Sequence, residues 1–426
     1  MNGKIMQATE VPNDAPKDDA STNRPPADVA NFSVPEVIAE VRGQVGFITL
    51  NRPKALNALS LPMIRALSAC LLAWRTDDAV KAVAFRGMGK GSVSQNATYP
   101  GGGISAGNPT GGGPFGTYCA GGDIRFFHQA ALANNPELED FFTEEYRLNH
   151  LIHSYPKPTI VFMDGIVMGG GMGLCGHGRP ASGPGATLRL VTERTKMAMP
   201  ETAIGLFPDV GGGYFLSRCP GHAGEWLALT GDTIGAADAV ALGLADGCVK
   251  STAMPLIWDA LGSASIATPD SVQNLIAMYL VANYSILTWE KGKIDPFFSL
   301  NSVTEIVKAL ERSDDAWARQ AAATLRQRSP LMLHVALEQI RRARSMELAD
   351  ELRMERDMVH HCFNPKHLAR SAAASETVEG IRALAIDKDH KPQWMPARIE
   401  DVTPEMGLPF FDSPWAAGAH PLQDLR

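Results

Sequence analysis

The chain has 426 residues, 45% of them hydrophobic and 20% charged, with a formal net charge of −7. This length can bury a large core and sets two or three domains as the starting expectation, while the ordinary composition excludes disordered and fibrous classes. The acidic balance argues against nucleic acid as a partner, and no apolar run approaches the roughly 18 residues that cross a bilayer, so no membrane partner is expected.

Residues 1–31 mix Lys4, Lys17 and Arg24 with five acids and lack an apolar stretch, so they read as a disordered tail rather than a targeting peptide. Strands are expected at 37–41 and 47–50, joined by the turn Arg42-Gly43-Gln44, and again at 80–85. Between them Ser60 can cap a helix whose apolar positions Met63, Leu67, Cys70, Leu71 and Trp74 follow helical spacing. Residues 91–117 hold nine glycines in 27 positions without periodicity, the mark of a surface insertion. A helix at 137–153, a strand at 159–163 and a glycine-rich turn at 169–171 opening another helix extend the alternation into an α/β core over 32–254. From 255 to 426 the pattern becomes mostly helical, with Ser329-Pro330 opening a helix over 331–340.

The six cysteines, at 70, 119, 175, 219, 248 and 362, form no CxxC pair, which implies reduced thiols and neither a disulfide framework nor a metal site. Two catalytic-looking motifs are set aside. Gly103-Ile104-Ser105-Ala106-Gly107 matches a nucleophile elbow but lies inside the glycine-rich insertion, without the strand and helix that an elbow requires. Gly171-Met172-Gly173-Leu174-Cys175-Gly176 matches a dinucleotide fingerprint, yet six residues, Asp164 to Gly169, follow the strand run before the glycine cluster, and no ribose-binding acid follows cleanly.

Chemistry gathers elsewhere. Ala120-Gly121-Gly122-Asp123-Ile124 and Gly169-Gly170-Gly171 each precede a helix, and glycine turns of this kind can present amides to a developing oxyanion. In Met199-Pro200-Glu201-Thr202-Ala203-Ile204-Gly205-Leu206-Phe207-Pro208-Asp209-Val210-Gly211-Gly212-Gly213, two acids sit in an apolar stretch where carboxylates are costly unless partnered or used. Glu145 falls on the apolar stripe of Leu138, Phe141, Leu148 and Ile152, so it must meet either a structural cation or a polar cavity.

Together with Asn51-Arg52-Pro53-Lys54-Ala55-Leu56-Asn57-Ala58-Leu59, with Asp164-Gly165, and with Glu379-Gly380-Ile381-Arg382-Ala383-Leu384-Ala385-Ile386-Asp387-Lys388-Asp389 near the C-terminal end, these stretches resemble the crotonase superfamily. Within it the resemblance is to the 3-hydroxyisobutyryl-CoA hydrolase family. It implies an α/β fold, a crotonase-like spiral of ββα units with a C-terminal helical portion, acting on an acyl-CoA substrate with no separate cofactor. Gly122 and Gly170 would supply the oxyanion amides. Glu145, Gly170, Glu201 and Asp209 would face the acyl group, with Glu201 as base or nucleophile and Asp209 binding the 3-hydroxyl or sharing proton transfer. Lys54, Ala55, Leu56, Asp123 and Ile124 would contact CoA. Hydratases of the superfamily carry a second glutamate three residues after the middle glycine, where this chain has Gly173, which favours the hydrolase branch over a hydratase or isomerase. A non-catalytic binding protein of the same fold is the remaining alternative. The compartment is expected to be a reducing one, bacterial cytoplasm or otherwise mitochondrial matrix, and a homo-oligomer is compatible with the sequence.

Overall fold

A computed structural model of the chain describes residues 33–90, 115–178, 185–268, 270–281 and 291–426. The expected tail and most of the glycine-rich insertion, with Ser105, lie outside the described residues. Strands β1 (Ser33–Val34), β2 (Val37–Arg42) and β3 (Val45–Leu50) open the fold as an antiparallel meander with Val37 opposite Leu50. Gly43 makes the tight turn at φ +58°. Beyond β3 the sheet is parallel, running through β4 (Ala82–Gly87), β5 (Thr159–Met163), β7 (Thr187–Val191) and β9 (Gly247–Cys248). The strand expected at 80–85 starts two residues later because Val80 closes a turn, its amide donating to Asp77 O at 3.1 Å.

A parallel sheet is buried on both faces, which is why these strands are apolar on both sides. Val45, Phe47, Ala82, Ala84, Ile160, Phe162 and Leu188 point into one core. Ile48, Leu50, Val83, Phe85, Val161 and Met163 point into the other, which they share with helix α1 (Leu61–Thr76). Ser60 caps α1 as expected, its hydroxyl accepting from Met63 N.

A second, narrower wall runs alongside. Strand β6 (Ile166–Met168) lies parallel to β8 (Lys196–Ala198), and isolated bridges join Leu59 to Gly122, Cys119 to Val167 and Met197 to Ile234. Each turn of the chain therefore contributes a long strand, a short one and helix. This wall carries both glycine-rich turns. Helices α2 (Ile124–Ala133) and α3 (Glu137–His153) follow the first; α4 (Gly170–Gly173), only one turn long, follows the second. Helix α5 (Gly212–Leu216) follows the acid-bearing stretch.

The C-terminal helices complete both cores. Helices α6 (Met254–Ser263) and α7 (Asp270–Ala277) cover the outer face of the sheet through Ile257, Trp258 and Val272. Helices α8 (Pro330–Ala343), α9 (Leu348–Phe363) and α10 (Glu376–Ile381) pack against the second wall.

Two expected insertions are shorter than the sequence suggested. A Cβ on Gly116 would overlap the Gly89 Cα, so the chain leaves and re-enters the core at one place. Phe115, counted in the insertion, is buried instead, with ring centroids 5.6 Å from Phe162 and 5.8 Å from Trp258. Against the family pattern the sequence also carries a smaller insertion at about 180–188, and it must end before Thr187, which begins β7. Its apolar residues pair in register with β5.

Candidate active site

The two glycine turns meet. Leu59 N donates to Gly121 O at 2.8 Å and Asp123 N to Leu59 O at 3.0 Å, which leaves the Gly122 amide between them pointing away from this pairing. Gly170 begins α4, where the first amides of a helix have no partner within it. Neither amide donates to an acceptor among the described residues. A Cβ built on Gly170 would stand 3.4 Å from Gly122 N and 2.5 Å from Glu145 Oε1, so the turns and the α3 carboxylate enclose one small space. Gly121 at φ +104° and Gly169 at φ +47° make this approach with backbone that other residues rarely adopt. Beneath Gly122 the Phe127 and Phe141 rings, 4.8 Å apart, leave no room for a side chain.

The carboxylates come from three directions. Glu145 is buried on α3, and its Oε1 meets no donor. Glu201 opens a 3-10 turn (Glu201–Ile204); its Oε1 would be 2.9 Å from a Cβ on Gly169, and its Oε2 is likewise unpartnered. Asp209 accepts the Tyr146 hydroxyl at 3.0 Å. No ion pair reaches any of the three among the described residues, which removes the structural-cation alternative for Glu145. Burial, with Asp209 nearby, raises the proton affinity of Glu145 and Glu201 well above the carboxylate range. Asp209 is pushed up to about 7 by burial, against the opposing hydrogen bond from Tyr146. Carboxyl groups with raised proton affinity, set beside one another, can exchange protons with a bound ester.

Val210, next to Asp209, is a β-branched residue at φ +57°, a conformation that costs about 1–3 kcal/mol. It is held from both sides. The His177 ring, kept neutral by burial that lowers its pKa to about 3, donates Nε2–H to Val210 O at 2.7 Å. On the other side, Glu355 of α9 accepts from Gly211 N at 2.7 Å. The 3-10 turn bearing Glu201 is held by Ser329 N donating to Thr202 O at 3.0 Å and by Thr377 Oγ1 donating to Gly205 O at 2.7 Å.

At Gly173 a Cβ would stand 2.6 Å from Val210 Cβ and 2.9 Å from Asn149 Nδ2, so no side chain of any kind fits there. Asn149, one turn after Glu145 on α3, is fully buried with both amide atoms unpartnered. Sequence reasoning missed Tyr146, Asn149 and Glu355. The stripe that exposed Glu145 runs on through Asn149, and Glu355 carries the same signature, a charged residue among Leu352, Met358 and Val359.

The candidate CoA residues form one patch beside Gly122. Ala120 N donates to Leu56 O at 3.1 Å, binding the 53–56 turn to the 120–124 turn. Lys54 and Ala55 are exposed, while Leu56 and Ile124 are partly so. The Asp123 carboxylate is already engaged, by Arg52 at 3.0 Å and by Phe126 N at the start of α2, leaving its backbone for a ligand. All six cysteines are buried and free, and burial pushes the Cys119 thiol up to about 12, which makes it a poor nucleophile. Among the described residues no group of three or more His, Cys, Asp or Glu side chains could hold a metal ion.

A spiral wall that aims two free amides at buried carboxyl groups is the architecture of the enoyl-CoA hydratase/isomerase family, and the chain belongs to it, matching the family's profile at residues 45–95 and 111–411. The unmatched stretch falls inside the glycine-rich insertion. Among characterised relatives, mitochondrial 3-hydroxyisobutyryl-CoA hydrolases are similar throughout: the Danio rerio protein is 36% identical over 89% of this chain and 90% of its own, and the Homo sapiens protein 34% over 87% and 86%. Among solved structures, a carnitinyl-CoA dehydratase from Mycobacterium thermoresistibile aligns with TM-score 0.74 and 34% identity over 91% of this chain and 99% of its own. An enoyl-CoA hydratase from Rhodobacter sphaeroides 2.4.1 aligns with TM-score 0.71 and 32% identity over 89% and 97%. The expected crotonase fold is thereby established.

Proposed function

We propose that this protein hydrolyses an acyl-CoA thioester, with 3-hydroxyisobutyryl-CoA as substrate and 3-hydroxyisobutyrate and CoA as products, a step of valine catabolism. The observation that carries this reading is Gly173. Hydration across a double bond in this superfamily uses a second carboxylate there, and Val210 and Asn149 close the position to any side chain. The carboxylates that remain suit attack on the carbonyl carbon instead.

In this reading the thioester oxygen lies between the Gly122 and Gly170 amides, which stabilise the negative charge that grows on it during attack. The Glu201 carboxylate either takes a proton from a water that attacks the carbonyl carbon and passes it to the departing CoA thiolate, or attacks that carbon itself to form an anhydride, the thiolate taking its proton from Asp209 and a water then opening the anhydride; each route breaks the C–S bond and consumes one water. Asp209, with Tyr146 fixing one oxygen, holds the 3-hydroxyl or relays that proton. Glu145 borders the acyl pocket beside Gly170. The 53–56 and 120–124 turns hold CoA, with Lys54 toward a phosphate. The relatives are named as mitochondrial, which supports the matrix over the cytoplasm as the compartment.

The names of the two solved neighbours favour a second reading, dehydration or hydration of an acyl-CoA. A panel of short acyl-CoA esters separates the two. The proposal expects free thiol from 3-hydroxyisobutyryl-CoA above all others and no hydration of crotonyl-CoA. Efficient hydration without thiol release would overturn it.

A further inference from the structure

The support behind Asp209 contains two carboxyl groups that hydrolysis as described does not use. Glu351 and Glu355, four residues apart on α9, are both fully buried. Glu355 accepts from Gly211 N at 2.7 Å, from Gly213 N at 3.2 Å and from Gln339 Nε2 at 2.9 Å. The same Gln339 nitrogen donates to Pro208 O at 2.7 Å. Glu351 lies beside Gln339 and the Tyr214 backbone, both of which favour its charged form, and Gln339 Oε1 has no partner.

Two neighbouring carboxyl groups in a dry interior do not both ionise. Burial and their mutual repulsion raise the proton affinity of the pair. Three N–H groups hydrogen-bond Glu355, and the two glutamates titrate as one unit that holds a proton between its carboxyl groups.

The pair acts on the turn at 208–213, in which Val210 at φ +57° and Gly211 at φ +81° would relax if released. The titratable and charged groups facing this turn are few. Helix α3 brings Glu145 and Tyr146, the 3-10 turn Glu201, the loop after α4 neutral His177, and α9 Cys362 in addition to the two glutamates. The cation nearest Glu351, Arg218, is bound to the carbonyls of Tyr214 and Met346.

We propose that Glu355 is a positioning residue of the active site: as the acceptor of two amides, with Glu351 beside it sharing the pair's proton, it holds the strained 208–213 turn and so fixes where the Asp209 carboxyl points. The proposal rests on the reading of Asp209 as part of the reaction. It extends the site into the C-terminal helices.

The test compares Glu355→Gln, Glu351→Gln and Asp209→Asn in the full chain, using the acyl-CoA that gives most thiol release. A glutamine at 355 turns an N–H group toward an amide that needs an acceptor, so kcat should fall at least about thirtyfold with KM within about threefold and CoA affinity unchanged. Glu351→Gln leaves both turn amides held by Glu355 and should lower kcat no more than about threefold. If Glu355→Gln does not fold, Gln339→Met decides, since it takes one donor from Glu355 and frees Pro208: a fall in kcat of about fivefold at constant KM supports the proposal, and lost stability alone overturns it. Unaltered hydrolysis in Asp209→Asn would show that the functional reading has failed and the proposal with it. Loss of hydrolysis in Asp209→Asn, with Glu355→Gln within twofold of wild type in kcat, would overturn the positioning role alone.

Discussion

The Gly122 and Gly170 amides are set by backbone in their own turns, by left-handed glycines and the short pairing of Leu59 with the 121–123 segment. Glu201 and Asp209 are set from far along the chain, by Ser329, Thr377 and Glu355. The amide half of the candidate site is thus local and the carboxylate half is assembled. The amides are held by stiff backbone nearby, whereas the carboxyl groups are tuned by burial and by neighbours that only the complete fold supplies.

The sharpest way to break this division is Glu201→Gln, which keeps the shape but loses the basic oxygen. Thioester hydrolysis should fall about a thousandfold while CoA still binds, measured as thiol release against calorimetric CoA affinity; near-normal turnover would remove Glu201 from the reaction. On the other half, Gly170→Ala drives a methyl toward Glu145 Oε1 and the Gly122 amide. We expect a loss of about a hundredfold in kcat, and a variant with wild-type kcat would mean that the oxyanion lies elsewhere.

The loop ahead of Gly122 tests how local the amide half is. Replacing 93–114 with a short linker should leave cooperative unfolding intact, because Gly89 and Gly116 already touch. Extending the deletion to Phe115 removes a ring from the core and should cost about 3 kcal/mol in denaturant unfolding. Equal stability of the two deletions would place Phe115 outside the core. Glu145→Ala should lower hydrolysis at least about tenfold, roughly 1.4 kcal/mol of transition-state stabilisation, without a matching loss of stability. The reverse pattern would make Glu145 structural.

The smallest effect concerns Asp209 and pH. Its folded-state pKa of about 7 lies above the ordinary 3.8, so the folded protein binds this proton more tightly than the unfolded chain does. Stability linked to Asp209 is therefore greatest when it is protonated and declines as pH rises from about 4 through about 7. Asp209→Asn, which keeps an acceptor for Tyr146, should melt higher than wild type by a few degrees at pH 8 and equally at pH 4. A variant less stable at pH 8 would contradict the sign.

What was legible in the sequence follows the same division. Both glycine turns, the β2–β3 hairpin, the Ser60 cap and the full extent of α3 could be read locally, since turn chemistry and apolar spacing decide them. Glu145 is legible because a carboxylate on an apolar stripe has to be paired or used. Glu351 and Glu355 carry the same mark on α9, but no glycine turn stands beside them in sequence to point to a site. Phe115 was hidden by its glycine-rich surroundings, since one aromatic residue shows no period. The role of Gly380 could not be read at all: a Cβ there would collide with the backbone of Ile204, a contact between positions far apart in the chain.

That contact ties the candidate site to the order of synthesis. A ribosome releases the glycine turns, Glu145, Glu201 and Asp209 long before the residues that hold the 201–205 segment, Thr377 on Gly205 O and Gly380 against the Ile204 backbone. A half-made chain therefore carries the candidate groups without the clasp that holds this segment.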